Sequence, residues 1–183
     1  MLAPRKKLWS TPHSAVRTAA RLLDLAEEDV LYDIGCGDGR VLIDLASCTP
    51  CRNLIGVEID PDRASEAERN VARAYAHGTI GGDQSVRIDV GNGLETDLSG
   101  ITAAFLYLVP RGLRLIKPRI IEAAERMRSG DNIEGVQTGE TPLPALRVVT
   151  YMAGFEGETP VATDVCRVEH QEGAAWPIYF YHF

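Results

Sequence analysis

Short apolar runs alternate along this chain with longer segments of helical spacing, and the alternation predicts strands interleaved with helices. Residues 11–26 place Ala15, Ala19, Leu22 and Ala26 on one stripe behind Pro12, the pattern of an amphipathic helix. Residues 30–33 predict a buried strand, 35–39 a turn, and 40–47 a helix that turns Val41, Leu42 and Leu45 inward. A second strand follows at 54–59, then a long helix at 61–76 capped by Asp60. A third strand covers 86–90. Residues 101–109 are almost continuously apolar, as expected of a central parallel strand buried on both faces. The segment 110–127 is helical in pattern, but Pro118 predicts a turn first and a helix that begins at the proline. Three late strands, at 146–152, 165–170 and 176–181, have little helix between them, which predicts a closing antiparallel hairpin.

The expected fold class is therefore α/β: a doubly wound, Rossmann-like, mostly parallel sheet with a C-terminal antiparallel hairpin. A basic tail at 1–10, carrying Arg5, Lys6 and Lys7, is expected to precede one domain at 11–183. Residues 77–84 and 129–144 read as insertions, the second rich in Gly, Thr, Pro and acids and expected to be a mobile loop.

At 183 residues, folding can bury roughly 70% of the unfolded chain's surface, so no metal or disulfide is needed to hold the domain. The net charge of −7 argues against a broad nucleic-acid-binding face and predicts no nucleic-acid partner. Cys48 and Cys51 form an isolated C-x-x-C with neither a thioredoxin-like context nor a second ligand pair, so they are expected to be reduced structural thiols and no metal site is expected. No apolar run is long enough to cross a bilayer and no secretory signal is visible, which predicts a cytoplasmic protein; the basic N-terminus keeps a mitochondrial location open.

The chemistry concentrates in Asp33-Ile34-Gly35-Cys36-Gly37-Asp38-Gly39, between an apolar strand and an apolar-faced helix. Glycines there let the backbone turn sharply and a ligand approach its amides, while the following helix aims N–H groups at an anionic group. Two readings compete. A dinucleotide site uses G-x-G-x-x-G, whereas this spacing is G-x-G-x-G with Arg40 next. Asp33 and Asp38 would sit poorly beside a pyrophosphate. They suit S-adenosylmethionine, which carries an ammonium, a carboxylate and a sulfonium but no phosphate. Glu58, nineteen residues beyond Gly39 at the tip of the second strand, is placed to accept from both ribose hydroxyls.

The runs Val30-Leu31-Tyr32-Asp33-Ile34-Gly35-Cys36-Gly37-Asp38-Gly39-Arg40 and Gly56-Val57-Glu58-Ile59-Asp60-Pro61 resemble the class I S-adenosylmethionine-dependent methyltransferases over residues 30 to about 128. Thr11-Pro12, Tyr107-Leu108-Val109-Pro110 and Leu113-Arg114-Leu115-Ile116-Lys117-Pro118 narrow the likeness. They are similar to the lysine N-methyltransferases that act on the ATP synthase c-subunit and the adenine nucleotide translocase, with their short prokaryotic relatives. Trp9-Ser10 stands where that family usually has Val-Pro before its Ser or Thr. Gly91-Asn92 stands where it has Gly-Asp; an Asn amide oxygen can still accept from the adenine amine. The membrane segment of the mitochondrial members is missing.

The resemblance implies a seven-stranded sheet, S-adenosyl-L-methionine as cofactor with S-adenosyl-L-homocysteine as product, and a protein lysine as acceptor. It implies cofactor contacts from Thr11, Asp33, Gly35, Cys36, Gly37, Asp38, Glu58, Ile59, Asn92 and Gly93, with Asp89 as the other candidate for adenine. Tyr107, at the C-terminal end of the fourth strand, is expected to orient the acceptor amine through its ring, or Leu108 through its carbonyl; a purely packed Tyr107 is the competing reading. Thr11 and Pro12 are candidates for a lid, His13 for a proton acceptor or a mere surface histidine. Trp176, Tyr179 and Tyr181 are candidates for an acceptor groove or for ordinary sheet packing. A small-molecule N- or O-methyltransferase and a non-catalytic cofactor-binding protein are the alternatives on the same scaffold.

Overall fold

The structure is a computed structural model that describes residues 10–129, 145–167 and 174–183. Its elements are α1 (His13–Leu23), β1 (Val30–Ile34), α2 (Arg40–Cys48), β2 (Asn53–Glu58), α3 (Pro61–Ala76), β3 (Ser85–Val90) and β4 (Ala103–Leu106). These are followed by α4 (Pro110–Ser129), β5 (Arg147–Tyr151), β6 (Ala162–Arg167) and β7 (Ala175–His182). The seven strands form one sheet in the order β3-β2-β1-β4-β5-β7-β6. β1 through β5 pair in parallel, and β7 runs antiparallel to both β5 and β6, which is the closing hairpin expected from the sequence.

Alternation along the central strands feeds two cores. Leu31 of β1 and Phe105 of β4 pack with Val16, Leu23, Leu42 and Leu45 from α1 and α2. Tyr32, Ile34, Ala104 and Leu106 pack on the other face with Leu113, Ile116 and Ile120 of α4. A parallel strand covered on both sides has no solvent face, so β4 is apolar throughout. The order of strands reverses between β2 and β4 on either side of β1, and such switch points open a crevice at the strands' C-terminal ends.

Three expectations change in the structure. The first helix starts at His13 and ends at Leu23, because Asp24 takes a left-handed φ of 44° and its N–H bonds Ala20 O. Its buried stripe is consequently Ala15, Val16, Ala19 and Leu23, with Ala26 outside the helix. The fourth strand shortens to Ala103–Leu106, and Tyr107 to Val109 leave it as a loop. The third change is α4, which runs unbroken from Pro110 with Pro118 inside it. An interior proline costs about 3 kcal/mol. Leu113 and Ile116 before it share a buried stripe with Ile120, Ala123 and Ala124 after it. Burying large apolar side chains, each worth about 1.5–3 kcal/mol, outweighs the break.

Asp60 caps α3 as expected, its carboxylate accepting from Asp62 N at 3.0 Å. The expected insertion at 77–84 is a tied turn. Ile80 is buried, and the Gln84 amide donates to Ala46 O at 2.8 Å and Cys51 O at 2.9 Å. Residues 130–144 of the expected mobile loop, residues 168–170 of the expected sixth strand, and the basic tail except Ser10 lie outside the described residues. Among the described residues, no helix is long and apolar enough to cross a membrane.

Candidate functional site

The C-terminal end of β1 delivers Asp33 and Ile34 into the glycine turn. Gly35 N and Cys36 N both donate to Val57 O, at 2.8 and 3.1 Å, which staples the turn to β2. Gly37 has a φ of 57° and open space around its missing Cβ, so a side chain there would be strained and would project into the crevice. Gly39 has a φ of 78°, and a Cβ on it would lie 3.2 Å from Ala67 Cβ. The glycine therefore lets α2 begin in contact with α3. Gly39 at the N-cap of α2 has no side chain to offer, Asp38 Oδ1 accepts from Arg40 N at 3.3 Å, and no acidic residue lies in the first turn, so the amides that follow Arg40 suit an external anion.

Glu58, at the tip of β2, is buried and organises the turn from the other side. One carboxylate oxygen accepts from Gly37 N at 2.9 Å and the other from Asp60 N at 3.0 Å. Each oxygen keeps a further lone-pair direction for a ligand. Asp38 forks onto Arg40, with Nε–Oδ1 at 3.0 Å and Nη2–Oδ2 at 2.6 Å. Burial opposes its ionisation, but the Arg40 hydrogen bonds and charge outweigh that and hold its carboxyl below the ordinary range.

Asp33 is different. It is only 3% exposed, and its Oδ2 has no hydrogen-bond partner among the described residues. Burial first, then the charges of Glu58 and Asp38, push its pKa up to about 8. A buried carboxyl without a partner, beside two other acids, is a site for a cation. Burial, and then the acids Asp33, Glu58 and Asp38, push the Cys36 thiol far above its usual value and so disfavour its thiolate.

These groups line a cavity of about 750 Å³, the size of a small-molecule site. Thr11, Asp33, Gly35, Cys36, Gly37, Asp38, Glu58, Tyr107 and Leu108 all line it, so the structure gathers most residues singled out in the sequence. Ile59, Asp89, Asn92 and Gly93 do not. Ile59 and Val90 are each 58% exposed at the ends of neighbouring strands, and Gly91 N bonds Glu58 O at 2.9 Å, which keeps Asn92 close to the acid. Asn92 Oδ1 accepts from Leu94 N at 3.1 Å. The Asp89 carboxylate is instead held by Arg87, at 2.8 and 2.9 Å.

On the far side of the cavity Tyr107 turns its ring edge to Tyr151, 5.0 Å between centroids, and its hydroxyl donates to Met152 Sδ at 2.9 Å. Burial raises its pKa. Arg63 and Glu66 on α3 and Met152 and Ala153 beyond β5 also line the cavity, and the sequence reading passed over all four. Position past a strand's C-terminal end was the available signal for the last two.

Other candidates lie elsewhere. The His13 side chain is 66% exposed, pairs with Asp44 at 2.5 Å, and does not line the cavity. Nor do Trp176, Tyr179 and Tyr181. The Tyr181 hydroxyl accepts from Phe155 N at 3.0 Å and its ring packs on Phe155, which is sheet packing. Cys51 is buried, donating to Asp29 O at 3.3 Å, and Cys48 is exposed; both are free thiols. Among the described residues, no group of three or more His, Cys, Asp or Glu could hold a metal ion.

Comparison with known proteins follows the same geometry. Residues 27–96, from the approach to β1 through β3 and the loop after it, match the family model described as "Putative methyltransferase". A protein-lysine N-methyltransferase of Saccharolobus islandicus (strain REY15A) is 32% identical over 110 residues, 60% of this chain. The match spans 65% of that relative's length, just under two thirds. An RNA methyltransferase from Salinibacter ruber, solved with S-adenosyl-L-homocysteine, superposes with a TM-score of 0.70 at 28% identity, over 95% of this chain and 93% of that one. An S-adenosylmethionine-dependent O-methyltransferase from Thermotoga maritima shares the fold at a TM-score of 0.62 and 17% identity, covering 98% of this chain and 68% of that one.

Proposed function

We propose that this chain, which has the class I S-adenosylmethionine-dependent methyltransferase fold, binds S-adenosylmethionine in the cavity beyond β1 and transfers its methyl group to a protein lysine amine. The observation that carries the reading is the buried Asp33 Oδ2, without a partner among the described residues, in the wall of a cavity of the right size. A cofactor with an α-ammonium supplies the missing partner, and the N-terminus of α2, with a glycine at its N-cap, suits the α-carboxylate beside it. Glu58 keeps lone pairs free for two ribose hydroxyls. A flat base over Ile59 and Val90 would cover apolar surface now open to water, with the Asn92 amide oxygen accepting from its amine. Asp89, already held by Arg87, is the weaker candidate for that role.

The bound cofactor supplies an electrophilic methyl carbon on a sulfonium. The chain's own residues align the acceptor with it, and such alignment can contribute roughly 7–11 kcal/mol. Tyr107 and Leu108 both line the cavity, which supports the Tyr107 ring or the Leu108 carbonyl as the group that orients the acceptor, and the half-buried surroundings favour an amine that arrives neutral. The lysine acceptor is supported by the Saccharolobus islandicus relative. The name of the Salinibacter ruber protein favours a second reading, an RNA acceptor, against which the net charge of −7 weighs.

Incubation with radiolabelled S-adenosylmethionine and a fractionated cell extract tests the reading. N-methyl-lysine in the acid hydrolysate of the protein fraction is the expected outcome. Label confined to RNA or to small molecules would replace the acceptor, and a protein that binds the cofactor without transferring label anywhere would be a binder alone.

A further inference from the structure

Met152 is the first residue past β5, and its backbone is held in the left-handed region with a φ of 68°, a conformation that long side chains rarely adopt. Its N–H bonds Pro177 O at 2.8 Å, which fixes it to β7. Tyr107 is the first residue past β4, and β4 and β5 are paired neighbours with Leu106 opposite Thr150. The two side chains meet across the strand ends, in the cavity wall, through the 2.9 Å bond from Tyr107 Oη to Met152 Sδ. A strained residue at the lip of a binding cavity indicates that its placement is held by the surrounding structure for a purpose.

The chemistry of that bond is asymmetric. A phenol has one proton to donate and two lone pairs that accept, whereas a thioether can only accept. With its proton committed to sulfur, Tyr107 Oη faces the cavity as an acceptor. That polarity matters for methyl transfer to nitrogen. A phenol proton aimed at the incoming amine would occupy the lone pair that has to attack. A phenol lone pair engages an N–H instead and leaves the nitrogen lone pair free. In the step itself that lone pair forms the N–C bond while the electron pair of the breaking C–S bond stays with sulfur. The product is an ammonium whose N–H bonds still donate to Oη.

We propose that Met152 is a positioning residue that fixes Tyr107 Oη as a hydrogen-bond acceptor, selecting methyl acceptors that bring both an N–H and a free lone pair. The inference rests on the amine-methyltransferase reading above and extends it to the group that enforces the selectivity.

A double-mutant cycle tests it, measuring N-methyl-lysine formation on desalted extract protein and cofactor binding by calorimetry. Met152→Leu keeps the volume and removes the acceptor. It should lower kcat about tenfold, as expected for one lost hydrogen bond, with the cofactor's KM and Kd unchanged. Tyr107→Phe should do the same, and the double variant should be no slower than Tyr107→Phe alone, since both changes cut one interaction. Met152→Gln, whose amide oxygen can accept the phenol proton, should recover most of the rate. Wild-type kcat in Met152→Leu, or losses that multiply in the double variant, would overturn the inference while leaving the function intact. A wild-type protein that forms no N-methyl-lysine would remove the function and the inference together.

Discussion

Two aspartates mark the ends of β1, Asp29 just before it and Asp33 as its penultimate residue, and both are buried: Asp29 is 5% exposed and Asp33 3%. Their surroundings have nothing else in common. Asp29, below the strand, accepts from Thr102 Oγ1 at 2.6 Å and Ala26 N at 2.6 Å, and it closes an ion pair with Arg147. Burial alone would raise its pKa, but these partners together bring it below the ordinary value. Arg147 also donates to Leu23 O at 2.7 Å and Asp24 O at 2.8 Å, so one network joins the end of α1, the start of β1 and β5. Asp33, at the upper end of the strand, leaves its Oδ2 without a partner among the described residues, and its pKa rises to about 8. The same residue type at the same burial is a brace where its partners are built in and, in the proposed function, a receptor where they are left out. Polar satisfaction separates scaffold from site more cleanly than burial does.

The largest effect should come from breaking the brace. Asp29→Asn leaves Arg147 without its buried counter-charge, and losses of about 3–5 kcal/mol are usual for such a change. Urea denaturation should show it, with cofactor affinity of the folded protein unaltered. Asp33→Asn should invert that pattern, with stability at pH 7 held or raised and cofactor affinity by calorimetry reduced about ten- to hundredfold, as expected for a lost charge-assisted bond. If Asp33→Asn destabilises like Asp29→Asn, the distinction between brace and receptor fails.

The two acids should also give opposite pH dependence. The raised Asp33 binds a proton in the native state that the unfolded chain has lost, so its contribution to stability is fully present below about pH 4 and disappears as pH rises towards about 8. The depressed Asp29 contributes stability above about pH 4 that is lost as pH falls through its folded value. Chemical denaturation across pH 3–9 should show the high-pH decline flattened in Asp33→Asn and the acid-side loss reduced in Asp29→Asn. Glu58→Ala should have a smaller effect on stability but weaken cofactor binding about tenfold or more, because the proposed ribose contacts and the acceptors for Gly37 N and Asp60 N are removed. His13→Ala, which breaks only the exposed pair with Asp44, should change stability by less than about 1 kcal/mol. A larger loss would give the α1–α2 surface a role that its exposure does not suggest.

The glycine turn, the acid ending β2 and the closing hairpin were all legible in the sequence, because turn chemistry and apolar runs are local. The brace was not. Thr102 and Arg147 lie 73 and 118 residues from Asp29, and nothing local announces such a partnership. Pro118 misled for the converse reason, since its local cost was legible while the buried stripe of Leu113, Ile116 and Ile120 that overrides it is a property of the packed sheet. Met152 was passed over because the apolar run put it inside the strand at 146–152, whereas β5 ends at Tyr151, and its left-handed backbone leaves no mark in composition. Ile59 and Asn92 were picked from motif position; neither lines the cavity, and Ile59 is 58% exposed.

Proton release on cofactor binding is the most direct test of Asp33 as receptor. At pH 7 a carboxyl with a pKa of about 8 is mostly protonated, and an ammonium seated against it should make it ionise. Calorimetric titration of S-adenosylmethionine at pH 7, in phosphate and in Tris buffers whose ionisation enthalpies differ, counts those protons. Release of about one proton per site by the wild type and none by Asp33→Asn is the predicted result. Tight binding with no proton released by the wild type, or with an unchanged count in Asp33→Asn, would contradict the account.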